Sequence, residues 1–323
     1  MAQITDKELL FDFVEDCKLR NMTQKTVENY KSATNIFSNY LHEKQLNLLS
    51  VDGIENKDIL EDFYKYLTQE REVSHARVKI YFSALNCLYD YLEYKGFIKK
   101  NIVLIVRRRY VRQYKNGYSP AKRKIIDIDE MSNFLNSIMS LRDKAITLLF
   151  VKTGIRRGEL IAIDFDDIDF VEKTITLKSI FHKRSNRTVF FDGECENILK
   201  QWLKRRSYIA KANEEALFVN DFGKRLNRTG IYESVVKWAK RYHEAGKKMP
   251  LFNENSDSME DHFSCHNLRH CFTTYLRRNG MPREFIKELR GDKRREVIDI
   301  YYHIDFKDLK KAYLACMPKF NVY

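Results

Sequence analysis

Three short clusters in the second half of the chain carry side chains able to act on an anionic centre. The first is Thr153-Gly154-Ile155-Arg156-Arg157-Gly158-Glu159-Leu160, and the second is His266-Asn267-Leu268-Arg269-His270. The third, Glu288-Leu289-Arg290-Gly291-Asp292, is followed nine residues after Asp292 by Tyr301-Tyr302-His303. A guanidinium grips charged oxygens in a two-pronged way and does not deprotonate. An imidazole moves protons near neutral pH, and a phenol, with a pKa near ~10, attacks once a neighbour takes its proton. Each cluster alone has an ordinary explanation: arginines are common on basic surfaces, and a tyrosine at helical spacing from Val297 and Ile298 packs in a core. It is their order and spacing together that point to a reaction.

The charge pattern points to a polyanionic partner. Lys and Arg number 58 against 45 Asp and Glu, a formal +13. Between Lys99 and Lys124 stand ten basic residues, among them Arg107, Arg108, Arg109, Arg112 and Lys115, and no acidic one. Tyr110, Tyr114 and Tyr118 are interleaved with them. A solvated run ordinarily mixes signs. A one-sign run with aromatics suits nucleic acid, because each cation seated on a phosphate releases condensed counterions. Apolar stretches such as Ala145–Val151 stop far short of the ~18 residues a membrane span needs. Asp6 and Glu8 precede any apolar run, so no signal peptide is expected. Six scattered cysteines without a CxxC pair read as reduced thiols, and the expected compartment is the cytoplasm.

These groups need elements to position them. The 323 residues suit about two domains at ~150 residues each. With only 11 Gly and 4 Pro the chain reads as mainly α. Thr5-Asp6-Lys7-Glu8 is a capping box opening a helix through Leu19, and apolar residues recur at helical spacing in Val27–Leu41, Ile59–Leu67 and Val78–Leu92. This gives a four-helix domain over residues 1–106. Asn116-Gly117 and Ser119-Pro120 break any continuing helix, so residues 107–124 read as a basic linker, and residues 125–323 form the second domain. There helices are expected at Asp129–Leu141, Arg142–Thr153, Arg157–Ile163, Glu194–Ala212, Arg228–Ala245, Cys271–Arg278, Arg283–Leu289 and about Glu296–Tyr302. Thr174–Ile180 and Arg187–Phe191 read as a small antiparallel β hairpin, and Phe306, Leu309, Tyr313 and Met317 form one stripe of a last helix.

Taken together, the chain resembles the tyrosine recombinase (phage integrase) family, most like archaeal integrases and Xer-like recombinases. TGIRRGEL matches the family's first-arginine motif, HNLRH its His-x-x-Arg motif, and Ile300-Tyr301 falls where its nucleophile lies. Thr26, Tyr30, Phe37 and Leu41 resemble its helical, SAM-like core-binding domain, followed by an α+β catalytic domain. The resemblance implies a site-specific recombinase that cuts and rejoins double-stranded DNA through a 3′-phosphotyrosyl intermediate without metal or ATP. It implies no cofactor, a homotetramer on synapsed DNA, and a monomer or dimer when free. It assigns Tyr301 as nucleophile, Arg156 and Arg269 as the cations on the non-bridging oxygens, His266 as base or proton shuttle, and a hairpin lysine as acid on the 5′ oxygen. Lys183 fits that lysine, with Lys178 as the alternative. Periodicity does not separate Tyr301 from Tyr302; the family's nine-residue spacing and its Ile-Tyr-x-His pattern select Tyr301.

One departure stands out. The family has His or Trp where this chain has Asp292, and a carboxylate cannot donate to a phosphate oxygen unless protonated. Asp292 is therefore expected to be structural or to orient His266 or an arginine, rather than to bind the phosphate, as Glu159 is expected to hold Arg156. His303 and Lys293 are the candidate replacement donors. His262, Cys265, His266, His270 and Cys271 form a dense group, but structural zinc sites usually pair ligands from two loops and no second pair exists here, so no metal is expected. A type IB topoisomerase-like enzyme, or an impaired or non-enzymatic DNA-binding protein of the same fold, is the alternative reading.

Overall fold

Thr5 opens the first helix as its spacing predicts. Its Oγ1 accepts from the Glu8 N–H at 3.3 Å, and Glu8 Oε2 accepts from the Thr5 N–H at 2.8 Å, so two orphan donors of the first turn are satisfied. The structure, a computed structural model, describes residues 4–112, 125–178, 187–247, 263–292 and 304–323. By its internal contacts the chain divides into two units, Met1–Ser119 and Pro120–Tyr323.

The first unit is helical throughout its described length. Helices α1 (Asp6–Leu19), α2 (Gln24–Glu43), α3 (Lys57–Lys65) and α4 (His75–Tyr94) bury the faces the apolar spacing marks. Phe37 packs edge-on against Phe63 at 4.7 Å and Tyr89 at 6.2 Å, linking α2, α3 and α4. A buried carboxylate, Asp6, accepts from the Leu48 N–H at 3.1 Å and the Ser38 hydroxyl at 3.3 Å, tying the start of α1 to α2 and the following turn. The short helix α5 (Val103–Val106) continues as one π turn, Arg107–Val111. The start of the expected linker is thus helical, with Val106 and Val111 buried in this unit's core. Residues 113–124, including Lys115, lie outside the described residues.

In the second unit α6 (Ile128–Ser137) leads into α7 (Leu141–Thr153), which is buried on every side from Ala145 to Thr153. Then come α8 (Arg157–Ala162), a three-stranded antiparallel sheet in the order β1 (Ile168–Asp169), β2 (Thr174–Leu177), β3 (Arg187–Phe190), and α9 (Gly193–Arg206). The register pairs Leu177 with Arg187 and Ile175 with Val189, so the β2–β3 hairpin forms as expected and β1 adds an edge strand. Helices α10 (Arg228–Glu244), α11 (Cys265–Arg278), α12 (Arg283–Arg290) and α13 (Phe306–Cys316) complete it.

One expectation is corrected. The helix expected from Cys271 begins at Cys265, because Leu268, Cys271, Phe272, Tyr275 and Leu276 keep one buried face from the first turn. His266 and Arg269 therefore stand on helix rather than in a preceding loop. The stripe of the last helix packs at home: Leu309, Tyr313 and Met317 share a buried cluster with Phe190, Phe272 and Leu289. The chain end follows it into the main core, with Phe320 and Val322 buried and the Phe320 and Asn321 N–H groups donating to Glu194. The helix expected over 296–302 lies outside the described residues. Among the described residues no helix is long and apolar enough to cross a membrane.

Candidate active site

Helix α7 ends on Gly154, in the left-handed region at φ 60°, where a Cβ would come within 2.3 Å of the Phe272 ring. The turn sets Arg156 at the N-terminal edge of α8, and Glu159 one turn on accepts from the Arg156 N–H at 2.7 Å. Arg156 Nη1 donates to Glu159 Oε1 and to the Arg290 carbonyl, each at 3.0 Å, and Nη2 donates to the Gly291 carbonyl at 3.2 Å and Asp292 Oδ1 at 3.3 Å. Arg269, on α11 and only 4% exposed, donates through Nη1 to the Gly154 carbonyl. Its Nη2 donates to the Arg290 carbonyl at 2.7 Å and to Asp292 Oδ1 at 3.2 Å. The two arginines of separate motifs thus converge on one carboxylate oxygen.

The C-terminus of α12 is what holds them. Its last carbonyls need partners. The Gly291 and Asp292 N–H groups take those of Glu288 and Lys287 at 2.9 and 3.1 Å, with Gly291 left-handed at φ 59°. The carbonyls of Leu289, Arg290 and Gly291 accept from guanidiniums instead, the Leu289 one from Arg187 Nε at 3.0 Å. Cations at this end also meet the negative pole of the helix.

Arg187 is the member that sequence reasoning missed. It begins β3 and grips Glu159 with both prongs, Nη1 to Oε1 at 2.7 Å and Nη2 to Oε2 at 2.9 Å. Its signal was an arginine at the head of a strand that otherwise reads Thr188-Val189-Phe190. Burial pushes the Glu159 carboxyl up, but the hydrogen bonds from Arg187 and Arg156 outweigh it and hold the group down at about 2. Burial, with Arg156 and Arg290 beside it, presses Arg269 down to about 9, against which Asp292 and Glu159 pull upward. Among the described residues Arg156, Arg187, Arg269 and Arg290 pair with Glu159 and Asp292, four guanidiniums on two carboxylates, which leaves positive charge in surplus at this seat. A phosphodiester supplies one negative charge and its pentacovalent transition state more, which suits this surplus.

Other expected residues fall as follows. His266 stands exposed on the first turn of α11, one turn from Arg269, its ring edge-on to His270 at 4.3 Å. Arg157 lies over the Tyr232 ring at 5.9 Å. Lys178 reaches Asp164 at 2.7 Å and Asp167 at 3.0 Å, and those two carboxylates raise its ammonium above the usual range. Arg108, Arg109 and Arg112 are exposed and Arg107 half-buried. Tyr301, Tyr302, His303, Lys183, Lys293 and His262 lie outside the described residues. Asp292 accepts from Arg156 and Arg269 at once. Among the described residues no group of three or more His, Cys, Asp or Glu is gathered as metal ligands would be.

Residues 124–308 match the phage integrase family, and residues 9–97 match the phage integrase N-terminal SAM-like domain. Tyrosine recombinase XerC of Vibrio cholerae serotype O1 is 25% identical over 308 residues, covering 93% of this chain and 89% of that protein. XerC of Vibrio parahaemolyticus serotype O3:K6 is 26% identical over 245 residues, 73% of this chain and 70% of the relative. The archaeal side of the resemblance finds no support in these two relatives. Among solved structures, the XerH site-specific recombinase bound to its difH substrate superposes with a TM-score of 0.61 at 22% identity, over 96% of this chain and 84% of that one. The Tn1549 transposon integrase in complex with circular intermediate DNA gives 0.67 at 16% identity, over 97% and 99%. With a family match running through both units, this chain belongs to the phage integrase family of tyrosine recombinases.

Proposed function

We propose that this chain is a site-specific recombinase that cuts and rejoins double-stranded DNA through a phosphotyrosine. The observation that carries the reading is the convergence of Arg156 and Arg269 on one oxygen, within 3.3 and 3.2 Å. In the reaction the Tyr301 oxygen attacks phosphorus while His266 takes its proton. The P–O bond to the 5′ oxygen breaks, and Lys183 gives that departing oxygen a proton, so that it leaves as a 5′ hydroxyl. Lys178 suits that role less, because a raised ammonium paired with two carboxylates is a weaker acid. The two guanidiniums take the charge that builds on the non-bridging oxygens. The phosphotyrosyl bond keeps the energy of the broken linkage, so a 5′ hydroxyl restores the strand by the reverse steps without ATP. Fixed guanidiniums supply the positive charge the step requires, and the reading calls for no metal or cofactor. The protein acts on DNA in the cytoplasm, residues 1–106 and 125–323 gripping the duplex and residues 107–124 crossing its backbone, with four protomers on two synapsed sites.

The test is a nicked duplex from which the short 5′-hydroxyl strand is lost after cleavage, trapping the intermediate. Wild type and Tyr302→Phe form a denaturant-resistant protein–DNA adduct, while Tyr301→Phe folds, binds DNA and forms none. Loss of the adduct in Tyr302→Phe with retention in Tyr301→Phe would move the nucleophile by one residue. No adduct from wild type on a duplex selected by the protein would favour a non-enzymatic DNA-binding role.

A further inference from the structure

Asp292 does more than orient the arginines. A guanidinium has five N–H groups in a fixed fork, and each Nη carries two. Arg156 Nη1 spends its pair on Glu159 and the Arg290 carbonyl; Arg156 Nη2 spends its pair on the Gly291 carbonyl and Asp292. Arg269 Nη2 spends its pair on the Arg290 carbonyl and Asp292. Two oxygens meet both guanidiniums: the Arg290 carbonyl, which is fixed in the backbone, and Asp292 Oδ1, which a side chain carries and can withdraw. Oδ2 lies 3.1 Å from Arg290 Nε, an ion pair without hydrogen-bond geometry. The bonds to Oδ1 are long for charged partners, and the side chain is 32% exposed, so it has room to leave.

We propose that the Asp292 carboxylate is a placeholder for the scissile phosphate: it fills the shared seat of Arg156 and Arg269 and must swing out before a phosphate oxygen enters. The inference rests on the reading of these arginines as the phosphate ligands. A tethered carboxylate competes at high local concentration, so a free or loosely held phosphate does not displace it. A phosphate delivered by a duplex held at many other points does. Asp292 thereby makes entry to the site depend on DNA already bound in register, a specificity that an uncharged donor at this position does not impose.

Binding of inorganic phosphate reads this directly, at ~0.15 M salt, where charges beyond ~8 Å are screened. Asp292→Asn is expected to bind phosphate at least tenfold more tightly than wild type. The gain should vanish when Arg269→Ala is added, and Glu172→Gln, an exposed charge control, should show none. A merely structural Asp292 leaves phosphate affinity unchanged or weaker in Asp292→Asn, and that result overturns the proposal. Asp292→Ala gives a second variant with the same expectation, and if neither variant folds, Asp292 is a structural ion-pair partner and the placeholder role is wrong. Covalent adduct formation by wild type on a nicked selected duplex separates the two readings. Adduct without a phosphate gain sinks the placeholder alone; a phosphate gain without adduct from any variant sinks the recombinase reading and leaves the placeholder standing.

Discussion

Glu159 is 8% exposed and accepts from two arginines that come from different elements, Arg156 at the start of α8 and Arg187 at the head of β3. Removing one partner of a buried pair costs more than the pair contributes, because it strands a charge. Glu159→Gln keeps the shape but leaves Arg187 facing a neutral amide, and is expected to destabilise the second unit by about 3 kcal/mol. The sign of the pH dependence follows from the folded carboxyl lying at about 2, below its ordinary 4.5. Its contribution is fully present above pH 4.5 and is lost as pH falls from 4.5 towards 2. Urea unfolding of the second unit should show wild type and Glu159→Gln far apart at neutral pH and converging across that window. A constant gap down to pH 2 would mean the carboxylate is not held by the arginines. The same variant should also lower the adduct rate, since a neutral amide oxygen replaces the charged acceptor that helps fix Arg156 Nη1.

At the scale of elements, the end of α12 does for the site what a loop could not: a left-handed turn presents three carbonyls to three guanidiniums. Gly291 is required twice, by its φ of 59° and because a Cβ would stand 2.8 Å from Arg187 Nη1, which Glu159 prevents from yielding. Gly291→Ala should therefore cost about 1 kcal/mol from backbone strain alone. It should also slow adduct formation about tenfold, by the ~1.4 kcal/mol such a misplacement of the arginines implies, while DNA binding stays intact. Unchanged adduct kinetics would show that this turn does not set the arginine geometry. Helices whose apolar residues recur every three or four positions were legible in the sequence, α1 through its capping box and α4 through its buried run. So were Arg156, Arg269 and Glu159, which sit in recognisable motifs. What was not legible depends on distance along the chain. Arg156 meets the Arg290 carbonyl across 134 residues, and Arg187 meets Leu289 across 102. No local period encodes such a closure. The two-residue strand β1 is too short to show alternation, and the start of α11 was hidden because its first turn carries the polar residues of the site.

For the whole molecule the decisive quantity is charge against a duplex. The formal +13 is concentrated: the basic run begins in the last turns of the first unit, where Val106 and Val111 point into the core and Arg108, Arg109 and Arg112 face solvent. Helical spacing explains the split, since residues facing the core and those facing water alternate within each turn. Arg109 lies over the Tyr110 ring at 5.9 Å, and the Tyr110 hydroxyl donates to Glu61 at 3.1 Å, so this stretch of backbone is anchored to the unit rather than trailing from it. Cations held in this way would meet phosphates at a fixed pitch, and each such contact would release roughly 0.9 counterions from B-form DNA. Replacing Arg107, Arg108 and Arg109 together by Ala should reduce the slope of log affinity against log salt by up to about 2.7. The core face is untouched, so the first unit should keep its helical content by circular dichroism. The loss should be the same on selected and scrambled duplexes, because phosphate contacts carry no sequence information. Binding titrations between ~50 and ~200 mM salt, the range over which such contacts change affinity most visibly, measure it. An unchanged slope would place these arginines off the DNA and leave the counterion release to the catalytic unit.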